Sequence, residues 1–300
     1  MKMRILQGLS LIFCLAAPFR VSAEDKIFDT PTLDRIVQTG KIRIGYGSTA
    51  PFSFLNADGQ VLGYSIDLCR GVVERLKQRL KLRSIDIEFV PRTPSNRIQL
   101  LNDGSMDIEC NASTNTTERR KSVAFSYSHF YGVTRYVSLR KNGLAKLDDL
   151  KGRSVSVALG TVNINEINDI SRKRRLNISP VPVDSLQAAF DMVTDGRVAA
   201  FAMDEVLLKT MIARAQNPSD YALSDEQLTD VQPLGFMMRL NDKPFVNAVN
   251  EGLADIYKTG AVRDIYKRWF EDPMPGLNIK LDLPMNRWLM DAIINPKVIE

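Results

Sequence analysis

A single histidine, His129, occurs in the 300 residues. One imidazole cannot supply a clustered histidine metal site, and no His/Cys/carboxylate grouping with metal-ligand spacing accompanies it. No Gly-x-Ser-x-Gly nucleophile elbow is present either. Long apolar runs are also missing. The stretch Ile5–Ala17 falls short of the ~20 residues a membrane-spanning helix needs, and no other segment comes closer. Charge of one sign is lacking: 40 basic against 35 acidic side chains leave +5. The basic run Arg172-Lys173-Arg174-Arg175 has no interleaved aromatics. It reads as a solvated helix end, where cations meet the negative end of the dipole, and a nucleic-acid surface is not expected. Cysteine is scarce, with three in the chain.

What is present begins with an export signal. Lys2 and Arg4 form a charged start, Ile5–Ala17 the apolar stretch, and Val21-Ser22-Ala23 a small-residue cleavage site, so residues 1–23 read as a signal peptide. Cys14 lies inside that segment, and Phe13 before it does not suit a lipid-anchored cysteine. Cleavage removes Lys2, Arg4 and Arg20, which takes the charge from +5 to +2. The mature chain keeps Cys69 and Cys110, each in an apolar stretch. An oxidising compartment permits a bridge between them, and two buried thiols fit the pattern equally well. The length suits two domains rather than one core.

Hydrophobic patterning predicts alternating strands and helices. Lys41–Tyr46 alternates as a strand. Apolar residues recur at Ile66, Cys69, Val72, Val73, Leu76 and Leu80, the spacing of an amphipathic helix. Ser95 is expected to cap a helix running through Leu101. The segment Leu100–Ile108 is echoed by Met192–Ala200, each a helix end, a glycine stop and a short buried strand. Two equivalent α/β units with mostly parallel sheets follow. The extended runs Phe130–Arg140 and Leu234–Leu240 are expected to cross between the units as a hinge, with a ligand cleft between them.

The stretch Ala112-Ser113-Thr114-Asn115-Thr116-Thr117-Glu118-Arg119 closes a strand and opens a helix. It gathers hydroxyls, free amides and a guanidinium, and together these suit a small carboxylate. Arginine meets a carboxylate with two parallel N–H bonds, a geometry lysine cannot supply. Asp204, ahead of Val206-Leu207-Leu208, suits a helix N-cap or a ligand contact.

These residues resemble the periplasmic solute-binding proteins of amino-acid ABC transporters, and within them the glutamate/aspartate-binding group. The resemblance rests on Pro51-Phe52-Ser53-Phe54, Gly63-Tyr64-Ser65, Ser95-Asn96-Arg97-Ile98, Asp107-Ile108-Glu109-Cys110, Thr114 through Glu118-Arg119, Leu150-Lys151-Gly152, Leu159-Gly160-Thr161 and Met203-Asp204. It implies an α/β two-lobed type II fold with two crossing hinge strands. Residues 24–131 with 236–300 would form one lobe and 132–235 the other. In this reading Arg119 clamps a ligand α-carboxylate with Thr114 and the amides of Thr161 and Val162. The Ala112 carbonyl and Asp204 receive the α-ammonium, and Arg97 reaches a side-chain carboxylate. The implied partners are an amino acid and an inner-membrane ABC permease, with no cofactor, a monomeric state and a periplasmic location.

Four positions depart from the acidic-ligand pattern. Gly47 stands where that group has an arginine, and Pro94, Val162 and Leu186 stand where it has a serine, a threonine and a histidine. The resemblance therefore implies amino-acid binding more firmly than it implies the ligand. The alternative it leaves is a periplasmic enzyme on the same scaffold, such as a cyclohexadienyl-type dehydratase, with Glu109 and Glu205 as its acid–base candidates.

Overall fold

A computed structural model describes residues 31–299; the expected signal peptide, residues 1–23, lies outside them. Helix α1 (Thr32–Thr39) and strand β1 (Lys41–Tyr46) lead to a hairpin of β2 (Phe54–Leu55) and β3 (Val61–Leu62). Next come α2 (Tyr64–Arg79), β4 (Asp86–Pro91), α3 (Arg97–Asn102), β5 (Ile108–Thr114), α4 (Thr117–Arg120), β6 (Val123–Phe125) and β7 (Phe130–Gly132). They are followed by β8 (Thr134–Leu139), β9 (Ser154–Ala158), α5 (Asn163–Arg174), β10 (Ser179–Val183), α6 (Leu186–Thr194), β11 (Ala200–Asp204), α7 (Glu205–Arg214) and β12 (Tyr221–Leu223). The last elements are β13 (Gln232–Arg239), α8 (Lys243–Lys258), α9 (Ala261–Tyr266) and α10 (Arg287–Ile294).

Two sheets organise these elements into two lobes. The first runs β4-β1-β5-β13-β6, with β7 also paired to β13; the second runs β10-β9-β11-β8-β12. In each, three strands are parallel, β4-β1-β5 and β10-β9-β11, and the strands beyond them run antiparallel. The chain leaves the first sheet after β7 and enters the second at β8, with only Val133 between, and it returns between β12 and β13. The two passages are tied together: the Leu228 amide donates to the Thr134 carbonyl at 2.8 Å, and the Thr134 amide to Thr229 Oγ1 at 3.1 Å. The first passage of this hinge lies within the expected run Phe130–Arg140. The second comes at residues 224–231, ahead of the expected Leu234–Leu240, because β13 is already paired into the first sheet from Gln232 on.

The helical period of α2 does what its spacing dictates. Ile66, Cys69, Val72, Val73 and Leu76 are all buried, against Val249, Leu253 and Ile256 on α8. Each such side chain contributes about 1.5–3 kcal/mol of burial. Near the hinge, Phe52, Tyr64, Phe130, Tyr266 and Phe270 form an aromatic cluster. The Tyr64 and Tyr257 hydroxyls donate to the carbonyls of His129 and Ser128, which fixes the chain just before it crosses. His129 itself is buried, stacks on Phe236 and holds the Asn111 carbonyl with Nε2 at 2.9 Å. Burial pulls its pKa down to about 4, so it is a neutral packing residue.

Cys69 on α2 and Cys110 on β5 form a disulfide, deciding a pairing the sequence leaves open. The expected Ser95 cap is replaced. The N-cap of α3 is Asn96, whose Oδ1 accepts from the Thr93 amide at 2.8 Å, while Ser95 Oγ pairs with Thr93 Oγ1. Local side-chain bonds thus fold residues 93–96 into a tight loop instead of starting the helix one residue earlier.

Candidate functional site

Where the parallel strands of the two sheets end, the lobes face each other. From the first lobe come Arg92 just after β4, Arg97 at the start of α3, the end of β5, and Arg119 on α4. From the second come the turn after β9 (Gly160–Val162) and Asp204 at the end of β11. Open α/β sheets present their ligand crevices at these strand ends.

Within β5 the ladder to β13 is interrupted at residues 110–112, and pairing resumes at Ser113 and Thr114. Its register with β13 shifts between Glu109 and Ser113, so Ala112 has no partner across the sheet. The Ala112 amide is satisfied locally by Asn111 Oδ1 at 2.7 Å. Thr114 is buried, and its carbonyl accepts from Arg119 Nη1 at 3.0 Å. The Arg119 amide is held by the Thr116 hydroxyl, which caps α4. The guanidinium is therefore aimed by two contacts with its own segment, and its other end crosses the cleft. Arg119 Nη2 donates to the Gly160 carbonyl at 3.1 Å.

Arg97 reaches the same acceptor. Its Nη2 lies 3.1 Å from the Gly160 carbonyl, and its Nη1 donates to Ser113 Oγ at 3.0 Å. Ser113 passes the interaction on, donating to Glu109 Oε2 at 2.6 Å. Glu109 is fully buried, 2.7 Å from Arg92 Nη2 and 3.6 Å from Arg97 Nη1. Burial pushes its carboxyl up, but Arg92 and Arg97 outweigh that and hold it below the ordinary value. Burial and the neighbouring Arg97 pull Arg119 down to about 9, still a cation at neutral pH. Three guanidinium groups thus surround one carboxylate on this wall.

Across the cleft, Thr161 turns back on its own strand, its hydroxyl donating to the Ala158 carbonyl at 2.7 Å and its amide to the same oxygen at 3.3 Å. Val162 is the N-cap of α5 and offers no side-chain cap. Its carbonyl accepts from the Asn165 and Glu166 amides, which leaves the amides of Asn163 and Ile164 without intrahelical partners. Asp204 stands at the N-cap position of α7 but makes no capping hydrogen bond. Its carboxylate is buried, with no hydrogen bond or ion pair among the described residues. Burial and the nearby Glu166 raise its pKa to about 7, against the opposing pull of Arg119 and Arg97.

Of the seven residues expected from the sequence, the structure joins Arg97 and Arg119 at the Gly160 carbonyl and Arg119 to the Thr114 carbonyl. It sets Asp204 within electrostatic reach of both guanidinium groups, and places Ala112 on β5 beside them and Thr161 and Val162 in the turn after Gly160. Sequence reasoning missed Arg92, Ser113 and the Gly160 carbonyl. Gly160 lay within a recognised motif, whereas Arg92 carried no signal. The two acid–base candidates are occupied otherwise. Glu109 is clamped as an anion, and Glu205 is paired with Arg135 and Lys209, 3.1 and 2.6 Å away. Beside the crevice a groove of about 550 Å³ runs between the lobes, with Thr49, Arg92, Pro94 and Leu186 among its walls.

Known proteins are similar to this chain in sequence and in fold. The chain is 33% identical over 269 residues to the L-glutamate/L-aspartate-binding protein of Pseudomonas aeruginosa, covering 89% of each. It is 28% identical to a glutamate/aspartate import solute-binding protein of Salmonella typhimurium, covering 95% of each. Among solved structures, the ancestral amino-acid-binding protein AncCDT-1, a precursor of cyclohexadienyl dehydratase, superposes with a TM-score of 0.70 at 28% identity, covering 80% of this chain and all of that one. The profile of one family matches residues 42–272, most of the described chain. With the two lobes, the hinge and the interlobe site in place, the chain belongs to the bacterial extracellular solute-binding proteins, family 3.

Proposed function

We propose that this protein captures an acidic amino acid, glutamate or aspartate, between its lobes in the periplasm and delivers it to an inner-membrane ABC permease. The observation that carries the reading is the opposition of charge across the cleft. Arg97 and Arg119 stand on the first lobe, and the unpaired, buried Asp204 carboxylate stands on the second. In this reading the α-carboxylate takes Arg119, Thr114 and the amides of Thr161 and Val162. The α-ammonium takes Asp204 and the Ala112 carbonyl. A zwitterion then bridges the lobes and favours the closed state because it touches both at once. The lobes would divide close to the expected 24–131 with 236–300, and 132–235, except that Gly132 and residues 232–235 pair within the first sheet and go with the first lobe. The protein would act as a monomer.

Charge balance favours a dicarboxylic ligand. Arg92, Arg97 and Arg119 exceed Glu109 by two positive charges on the first wall, and a second ligand carboxylate at Arg97 would match them. A buried cation without a partner is costly. The relatives named for glutamate and aspartate binding support the same choice. Calorimetry of ligand-stripped protein with the twenty amino acids and small dicarboxylates tests this: binding led by glutamate and aspartate is expected, and no binding of any amino acid would overturn it.

A further inference from the structure

We propose that Arg92 is a specificity-determining residue of this receptor, contacting the ligand's side-chain carboxylate beside Arg97. The proposal rests on the acidic-ligand reading and adds a residue to it.

Three observations meet at this side chain. First, Arg92 is placed by the strand end: its amide continues the β1–β4 pairing by donating to the Tyr46 carbonyl at 2.9 Å. Its side chain, 2% exposed, turns inward to Glu109. Second, the room for the guanidinium is made by Gly47. A Cβ at position 47 would lie 3.0 Å from Arg92 Cζ and Nη1 and 3.1 Å from Asn111 Nδ2. Those are contacts tighter than ordinary packing, so any larger residue there would press on Arg92 and on the Asn111 amide.

Third, the donors gathered here are unfilled. Arg92 Nε, Arg97 Nε and Asn111 Nδ2 are buried and have no hydrogen-bond acceptor among the described residues. Buried donors are nearly always paired, so several open ones at one place mark a demand for an acceptor. Glu109 is a poor remedy, because its Oε1 contacts Arg92 at 2.7 Å without forming a directed hydrogen bond. An incoming carboxylate supplies acceptor lone pairs to such a cluster, and arginine grips it along two parallel bonds. A carboxamide brings one carbonyl, no charge and two further donors. The Arg92 side therefore discriminates glutamate from glutamine, and Arg92 also lines the groove into which a longer side chain would extend.

The experiment compares glutamate with glutamine by calorimetry, using wild type, Arg92→Lys, the charge-balanced double variant Arg92→Met/Glu109→Gln, and Gly47→Ala. The double variant avoids leaving Glu109 buried and unpaired, and a thermal melt confirms that each variant folds. Wild type is expected to prefer glutamate. The double variant and Arg92→Lys should cut the glutamate-to-glutamine ratio at least tenfold, the loss falling chiefly on glutamate. Gly47→Ala should lower the ratio in the same direction by crowding the guanidinium. A folded double variant with an unchanged ratio overturns the assignment of Arg92 and leaves the receptor reading standing. A wild type that binds amino acids without preferring the dicarboxylate also overturns the assignment, and one that binds no amino acid overturns both.

Discussion

Arg119 Nη2 and the Gly160 carbonyl meet at 3.1 Å, one from each lobe, and Arg97 Nη2 reaches that same oxygen from 3.1 Å. A backbone oxygen of the second lobe thus sits in the fork of two first-lobe cations. A ligand carboxylate is the stronger acceptor, because charge-assisted hydrogen bonds are about twice as strong as neutral ones. The closed lobes consequently have a place for an anion that is already shaped by donors.

Closure also depends on what Gly160 lacks. A Cβ there would lie 2.3 Å from the Pro94 carbonyl oxygen and 2.5 Å from the Ser95 nitrogen, and its φ is +77°. Gly160→Ala should therefore fold with a loss of about 1–2 kcal/mol from left-handed strain and fail to close. Small-angle scattering with saturating ligand should show wild type contracting and the variant remaining open. Equal contraction of both would show that the turn yields.

Arg119 and Arg97 should separate in their effects. Arg119→Ala removes the grip on a group every amino acid carries, so all ligands should weaken by about 2–5 kcal/mol, at least thirtyfold in Kd. Arg97→Ala should weaken glutamate and aspartate far more than neutral amino acids. Isothermal titration with one acidic and one neutral ligand reads both. Equal losses across ligands from both variants would contradict the division.

Much of this was legible because it is local. The repeat of Leu100–Ile108 in Met192–Ala200 announced two units, and the α2 period announced its buried face. The Thr116–Arg119 segment carries its own cap and its own guanidinium. Asp204 was legible as a position, with its residues leaving two roles open, helix cap or ligand contact; the absent capping bond leaves its carboxylate to the cleft. Arg92 was not legible. An arginine after a strand reads as solvent-facing, and its burial is set by Glu109, seventeen positions on, and by the room at Gly47. Cysteine pairing was undecided for a similar reason: apolar stretches place Cys69 and Cys110 in the core without saying which faces meet.

The disulfide supports the segment that carries the site, since Cys110 lies between Glu109 and Asn111. It closes a loop of 41 residues, worth about 4 kcal/mol in the chain-entropy account. Reduction, or Cys69→Ser/Cys110→Ser, should lower Tm by about 10 °C, as scanning calorimetry with and without reductant would record. An unchanged Tm would show that the bridge adds nothing to the packed lobe.

The last expectation concerns pH and turns on Asp204. Its carboxyl in the free protein titrates at about 7 rather than at the ordinary 3.8, raised by burial and by Glu166. Folded protein therefore binds this proton more tightly than unfolded chain, and the associated stability is present below about pH 3.8 and lost as pH rises towards 7. A ligand ammonium reverses the balance, because an adjacent cation favours the carboxylate and lowers its pKa in the complex. Binding then releases a proton below pH 7. Affinity should rise with pH, by up to about tenfold per unit, and level off above about 7. The ligand-induced gain in Tm should likewise grow between pH 5 and 7.5. Asp204→Asn should bind weakly and show neither trend. Titrations at pH 5, 6, 7 and 8 in buffers of different ionisation enthalpy measure both the affinity and the proton released. A wild-type affinity that stays flat across that range would mean that Asp204 does not receive the ammonium group.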